Sequence, residues 1–261
     1  MPQINELKIG TFCWADLGTN DQPGAKAFYG NLFGWTAVDA PVGPDQFYTM
    51  FQIDERQVGA AYTLRPDQVE HGVGPHWMLY VAVENADATT AKAESLGARV
   101  LAPPFDVFDA GRMAVLQDPT GAAFSIWQAN KQIGIGVTGV PGTLCWADLA
   151  TPDPSTATNF YRSLFGWEIT PGEIHTDYLH IANRGEFIGG IPPADTYQGA
   201  PPHWSIYFLV ENVVASLDQL KQGGGKIVVP ATDIEKTGRF AIVQDPQGAF
   251  FALFQLAHQS A

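Results

Sequence analysis

Apolar positions along the opening of the chain change period twice. Residues 11–17 alternate, with Cys13, Ala15 and Leu17 in one phase and Trp14 and Asp16 in the other, the period-2 pattern of a strand. Residues 24–33 then carry Ala25, Phe28, Tyr29 and Leu32 at helical spacing, and Gly34 follows as a stop. Strand patterns at 36–38, 47–53 and 58–62 complete one βαβββ unit. After a polar loop at 65–74 the plan starts again, with a strand at 76–83 and a helix at 86–96 closed by Gly97. Strands at 99–101, 112–117 and 123–128 follow, and Asp118, Pro119, Thr120 and Gly121 supply a tight turn between the last two.

The same text is then written a second time. Residues 10–35 read GTFCWADLGTNDQPGAKAFYGNLFGW and residues 142–167 read GTLCWADLATPDPSTATNFYRSLFGW, at an offset of 132 (142 minus 10), with 16 of 26 positions identical. Near the end of each half, GRMAVLQDPTGAAFSIWQ from Gly111 matches GRFAIVQDPQGAFFALFQ from Gly238, now at an offset of 127 (238 minus 111). A repeat this long is a duplicated domain, since solenoid units span about 20–50 residues. In the second half the patterned segments are 143–149, 159–165, 178–183, 203–210, 213–222, 239–244 and 249–254. The expectation is an α+β chain of four βαβββ units in two tandem domains, 1–130 and 142–261, joined by a glycine-rich linker at 131–141.

Charge narrows the partners. A net charge of −13 opposes binding to nucleic acid or to an anionic membrane surface. No apolar run approaches the roughly 18 residues of a membrane helix, and the opening MPQINELKIG lacks a basic-then-apolar leader pattern, so a cytoplasmic protein is expected. Cys13 and Cys145 occupy the same place in the two repeats, as a small core residue used twice would. The expected partner is a small molecule, and monomer and homodimer both stay open.

Two βαβββ units per domain, the FYxxLFGW helix end (Phe28 to Trp35, Phe160 to Trp167) and the DPxGAxF turn (Asp118 to Phe124, Asp245 to Phe251) resemble the vicinal oxygen chelate superfamily. That superfamily holds glyoxalase I, extradiol dioxygenases, and fosfomycin and bleomycin resistance proteins. The chain is similar in particular to its tandem, two-domain actinobacterial glyoxalase-like members, often labelled hydroxylases. The resemblance implies that each pair of units curls into a cup. It also implies that metal-dependent members place His and Glu ligands at positions that here hold Trp14, Met78 and Ser125, or Trp146, Ser205 and Ala252. The fourth-strand region offers only Gly59 and Ala60, or Gly189 and Gly190. None of these suits a divalent cation, which wants carboxylate or imidazole. No metal and no other cofactor is expected.

Strand alternation then gives the lining of each cup. Trp14 and Asp16 share a face, as do His76, Met78 and Tyr80, with Ser125 and Trp127 from the last strand. The second copy offers Trp146, Asp148, His203, Ser205, Tyr207, Ala252 and Phe254. In one reading Asp16, His76, Asp148 and His203 are acid–base groups, and Trp14, Tyr80, Ser125, Trp127, Trp146, Ser205, Tyr207 and Phe254 bind a ligand. In the other the tryptophans plug the cups as core, the aspartates bond nearby backbone, the histidines bond loop carbonyls, and the tyrosines are merely satisfied. Arg112 and Arg239 stand either in structural ion pairs or ready to anchor a ligand carboxylate. His180, Glu186 and His203 have two roles open, a solvated face or a metal set peculiar to the second half.

Two functions follow. The first is a metal-free binding protein of the glyoxalase and bleomycin-resistance type that takes a flat apolar or aromatic metabolite. The alternative is a metal-independent enzyme, an isomerase, cyclase, lyase or hydratase, using Asp and His as acid and base on a small carbonyl or aromatic metabolite.

Overall fold

A computed structural model describes residue 4 and residues 6–173, 175–197 and 200–257 of the chain. The expected outer limits of the two domains, at residues 1 and 261, lie outside the described residues. The first half forms β1 (Phe12–Thr19), α1 (Gln22–Phe33), β2 (Thr36–Gly43), β3 (Gln46–Ile53), β4 (Arg56–Thr63), a short α2 (Pro66–Glu70), β5 (His76–Ala82), α3 (Ala86–Ser95), β6 (Arg99–Val107), β7 (Gly111–Gln117) and β8 (Ala123–Ala129). The second half forms β9 (Leu144–Ala150), α4 (Pro154–Phe165), β10 (Glu168–Pro171), β11 (Leu179–Asn183), β12 (Glu186–Ile191), a 3-10 turn at Ala194–Tyr197, β13 (His203–Leu209), α5 (Val213–Gln222), β14 (Lys226–Ile234), β15 (Gly238–Gln244) and β16 (Phe250–Leu256).

Each half makes its own eight-stranded curled sheet, in the order β2-β3-β4-β1-β5-β8-β7-β6 and β10-β11-β12-β9-β13-β16-β15-β14. The opening strands of the two units, β1 and β5, pair antiparallel at the sheet centre, and each closes parallel on the last strand of its own unit. Helix α1 starts where the Asp21 side chain accepts the Gly24 N–H at 2.9 Å, and it stops at Gly34, whose φ of 71° continues the chain in the left-handed region. Helix α4 is capped the same way by Asp153 and Gly166. In the second half β10, β12 and β14 lie outside the patterned segments, and three segments of the first half differ from the sequence expectation. The 65–74 loop contains α2. Strand β2 runs on to Gly43 as an exposed hairpin arm, where apolar periodicity carries no signal. Strand β6 continues through Pro103 and Pro104 to Val107, which an edge strand tolerates because one side needs no N–H. Among the described residues no helix is long and apolar enough to cross a membrane.

The helix-covered faces of the two sheets pack against each other, and the repeated motifs build the seam. Tyr29 Oη donates to Asp245 Oδ2 at 2.9 Å and accepts from Trp77 Nε1 at 3.0 Å. Its counterpart Tyr161 donates to Asp118 Oδ2 at 2.9 Å and accepts from Trp204 Nε1 at 3.0 Å. Trp35 Nε1 reaches the Gly142 carbonyl at 3.0 Å and Trp167 Nε1 the Gly10 carbonyl at 2.7 Å. The DPxG aspartates therefore serve two partners, closing their own turn through Oδ1 and latching the other half through Oδ2. One continuous buried apolar cluster spans both halves. Between β8 and β9 the glycine-rich stretch is packed in part, with Ile135 and Val137 buried and the Ile135 N–H on the Cys13 carbonyl at 2.9 Å. Both cysteines are free, and burial pushes the Cys13 thiol up strongly and the Cys145 thiol up to about 12.

Candidate functional site

On β1, Cys13, Ala15 and Leu17 face the helices, and Trp14 and Asp16 face the opposite side of the sheet. Pairing carries that side across five strands. Trp14 stands opposite Tyr80, Asp16 opposite Met78 and Gly18 opposite His76. Tyr80 neighbours Ser125, and Ala82 neighbours Trp127. Asp16 also neighbours Ala60, which pairs with Met50, and Tyr62 pairs with Tyr48.

At the centre of this face lies a hydrogen-bonded array. Tyr80 Oη and Tyr48 Oη donate to Asp16 Oδ2 at 2.8 and 3.0 Å, and Trp14 Nε1 donates to Tyr48 Oη at 2.9 Å. Asp16 is only 3% exposed, and its second oxygen, Oδ1, has no partner. Ser125 Oγ, fully buried beside Tyr80, also has none. Burial raises the Asp16 carboxyl to about 6, and the two phenols hold it back from rising further. The Tyr48 and Tyr80 phenols are pushed far up by burial and by the neighbouring carboxylate, so they act as neutral donors.

The second half repeats the array with one change. Tyr207 Oη donates to Asp148 Oδ2 at 2.8 Å, while Tyr178 Oη and Trp146 Nε1 both donate to Oδ1, at 2.6 and 2.9 Å. Both oxygens of Asp148 are thus occupied. The cause lies on the neighbouring strand. Asp148 neighbours Gly190 where Asp16 neighbours Ala60, and a Cβ added to Gly190 would fall on Tyr178 Oη. The missing methyl lets Tyr178 reach Oδ1, whereas Tyr48, with Ala60 in place, reaches Oδ2. Burial raises the Asp148 carboxyl, and the hydrogen bonds from Tyr178, Tyr207 and Trp146, with a smaller effect of the nearby His180, partly offset it. The His180 ring packs on Trp146, Tyr178 and Phe187 at centroid distances of 6.2, 5.1 and 5.0 Å. Gly190→Ala is expected to displace Tyr178 and destabilise the protein by roughly 1–3 kcal/mol, the usual cost of overpacking. Thermal denaturation checks this, with Ala60→Gly, which adds no atoms, as the comparison.

The histidines are placed at the strand starts. His76 Nδ1 lies 2.9 Å from the Gly74 carbonyl and His203 Nδ1 lies 2.8 Å from that of Pro201, with His203 Nε2 3.0 Å from Ser205 Oγ. The hydrogen bonds of Asp16 and Asp148 run to tyrosine and tryptophan, and none runs to these rings. Of the remaining sequence candidates, Trp127 and Tyr207 are buried, and Trp146, Ser205 and Phe254 are half-buried. Trp127 Nε1 donates to the Gln132 carbonyl at 2.9 Å. Arg112 is held by Asp87 and Asp106, and Arg239 by Asp233. Tyr48 and Tyr178 join the array without being among the residues that strand alternation on β1 and β5 points to. The two are equivalent positions in the halves, but no strand spacing marks them as partners of Asp16 and Asp148.

At the positions where the resemblance implies metal ligands, Trp14, Met78, Ser125, Trp146, Ser205 and Ala252 offer no imidazole or carboxylate. Among the described residues no group of three His, Cys, Asp or Glu is placed to hold a metal ion, and Glu186 pairs instead with Lys8 at 2.7 Å. The donor set does not fit a resident divalent metal.

A sequence profile described as Glyoxalase/Bleomycin resistance protein/Dioxygenase superfamily matches residues 9–126 and again 143–253. The "Putative glyoxylase CFP32" of Mycobacterium tuberculosis is 39% identical over 267 residues, covering 99% of this chain and 100% of that protein. The "Anthracycline biosynthesis protein DnrV" of Streptomyces peucetius is 33% identical over 262 residues, covering 95% of this chain and 94% of that protein. Among solved structures, the Mn(II)-bound glyoxalase from Novosphingobium aromaticivorans superposes with a TM-score of 0.65 at 17% identity, covering 95% of this chain and 82% of that one. The 2,3-dioxygenase LapB from Pseudomonas sp. KL28 does so with a TM-score of 0.65 at 15% identity, covering 97% and 95%. At these identities the structural likeness speaks for the fold alone.

Proposed function

The chain belongs to the Glyoxalase/Bleomycin resistance protein/Dioxygenase superfamily, and from that premise we propose that it binds a small, flat, apolar or aromatic metabolite in its cups without a resident metal. One observation carries this reading. On the sheet face that carries the positions where the resemblance implies metal ligands, each half has a hydrogen-bonded array of one tryptophan, two tyrosines and one aspartate. Aromatic side chains around a few convergent polar groups are the composition of a small-molecule site, and rings bind flat ligands by stacking and burial. A relative named for anthracycline biosynthesis is in keeping with an aromatic ligand. Trp14, Tyr80, Ser125 and Trp127 would contact ligand in the first cup, and Trp146, Ser205, Tyr207 and Phe254 in the second.

A second reading rests on Asp16. A carboxyl raised to about 6 can take up or release a proton near neutrality, which suits metal-independent isomerisation, cyclisation or elimination. In that reading Asp16 and Asp148 carry the proton, the paired tyrosines orient the substrate, and His76 and His203 act from the rim.

Titration of the indole fluorescence with aromatic ligands, in buffer containing EDTA, tests the binding role. Trp14→Ala or Trp146→Ala is expected to weaken binding by roughly 1–3 kcal/mol, the loss of one buried aromatic contact. Unchanged affinity in both variants would mean that the tryptophans are plugged core and that the ligand, if any, binds elsewhere. Turnover that falls by about 10²-fold or more in Asp16→Asn, with binding intact, would favour the enzyme.

A further inference from the structure

Resting on the binding role proposed above, we infer that the two cups are not equivalent and that the first takes the protonated amine of an aromatic ligand, delivered to Asp16 Oδ1. Asp16 is almost fully buried and that oxygen has no partner, while its counterpart on Asp148 accepts two hydrogen bonds. A buried acceptor left open is costly, and a ligand group that fills it recovers that cost. Ser125 Oγ, buried and equally unpartnered, offers a second polar contact in the first cup, where the second cup has Ala252.

The charge around Asp16 selects the class of donor. Its bonded partners are two phenols, and it takes part in none of the ion pairs among the described residues. A hydroxyl would satisfy the geometry but leave a buried negative charge uncompensated. An ammonium satisfies both. A ligand carboxylate would meet Asp16 as a like charge. The acidic chain, with 27 Asp and Glu against 14 Lys and Arg, draws cations toward it. In the second cup the open buried atom is Nδ1 of the His180 imidazole, while both oxygens of Asp148 are occupied, so no carboxylate there is left for an ammonium.

Three ligands sharing one ring system test this: 2-naphthylmethylamine, 2-naphthylmethanol and 2-naphthoate, titrated calorimetrically at physiological ionic strength. The amine is expected to bind about tenfold or more tighter than the alcohol, as a charge-assisted bond replaces a neutral one. The carboxylate is expected to bind weakest. Asp16→Asn should abolish the preference for the amine, and Asp148→Asn should leave it. Equal binding of amine and alcohol, a preference that survives Asp16→Asn or follows Asp148, or no detectable binding of any of the three would overturn the inference. If all three bind alike and Trp14→Ala weakens all of them, cup binding stands and only the amine fails. If neither Trp14→Ala nor Trp146→Ala weakens any, the cup itself is the wrong site.

Discussion

Trp167→Ala should lower the stability of the whole chain by roughly 3–5 kcal/mol, the cost of truncating a well-packed buried tryptophan. Trp167 is 2% exposed, stacks on Tyr161 at a centroid distance of 5.3 Å, packs edge-on against Phe12 at 5.6 Å, and bonds the Gly10 carbonyl. Phe12 and Gly10 belong to the first half, so the indole is a core residue of both. Its loss leaves a cavity at the seam and an unpartnered carbonyl. Against a total of about 5–15 kcal/mol this is a large fraction. At roughly 2–4 °C per kcal/mol for a chain near this size, the melting temperature should fall by about 6–20 °C. Because the latches cross between the sheets, the variant should still melt in a single transition. Two separated transitions, only one of them shifted, would show that the halves fold independently and that the seam contributes little.

The second large effect concerns pH. Asp16 has a folded pKa of about 6 against an ordinary value of 3.8. The folded protein therefore holds this proton more tightly than the unfolded chain does. That contribution to stability is complete below pH 4, declines as pH rises from about 4 to about 6, and is gone above. At pH 7.5 the ionised carboxylate is a net burden, and Asp16→Asn should stabilise the protein by roughly 2–3 kcal/mol, from about two pKa units at 1.36 kcal/mol each. Near pH 4 the gain should vanish. The unpartnered Oδ1 reduces it somewhat, since the new amide N–H would also lack an acceptor. Exposed carboxylates such as Asp67, Asp87 and Asp233 have lowered pKa values and act in the opposite sense. The difference between wild type and variant across pH isolates Asp16. Equal melting temperatures at pH 7.5, or a pH-independent gap, would contradict the strained carboxylate. A residue that destabilises the fold at working pH while sitting in a cup is the pattern expected of a functional group.

Much of this arrangement is legible in the sequence, for a simple reason. Alternation on β1 and β5 separates Trp14, Asp16 and Tyr80 from Cys13, Ala15 and Leu79, because a strand has a strict period of two. The duplication makes each assignment testable against its copy. What the sequence hides is tertiary. Tyr48 and Tyr178 come from the third strand of their units, and no spacing rule places their hydroxyls on an aspartate of the first strand. Tyr29, Trp35, Asp118 and their copies read as markers of fold, but their work is to join the two sheets, and nothing local states which faces meet. The histidines follow prolines at strand starts, and the nearest acceptor there is a backbone carbonyl. The difference between the cups turns on Ala60 against Gly190, one methyl whose effect is visible only once Tyr178 is in place.

The most direct test of the cup as the ligand site is a ¹⁵N-correlation titration of the indole N–H resonances. The chain has seven tryptophans. The Nε1–H of Trp14 and Trp146 point into the two arrays, while those of Trp35, Trp77, Trp167 and Trp204 are engaged in the seam. On adding an aromatic ligand, the Trp14 and Trp146 signals are expected to move, with the seam signals unshifted. Saturable binding that leaves the Trp14 and Trp146 indoles in place, or that moves the seam indoles alone, would contradict the account.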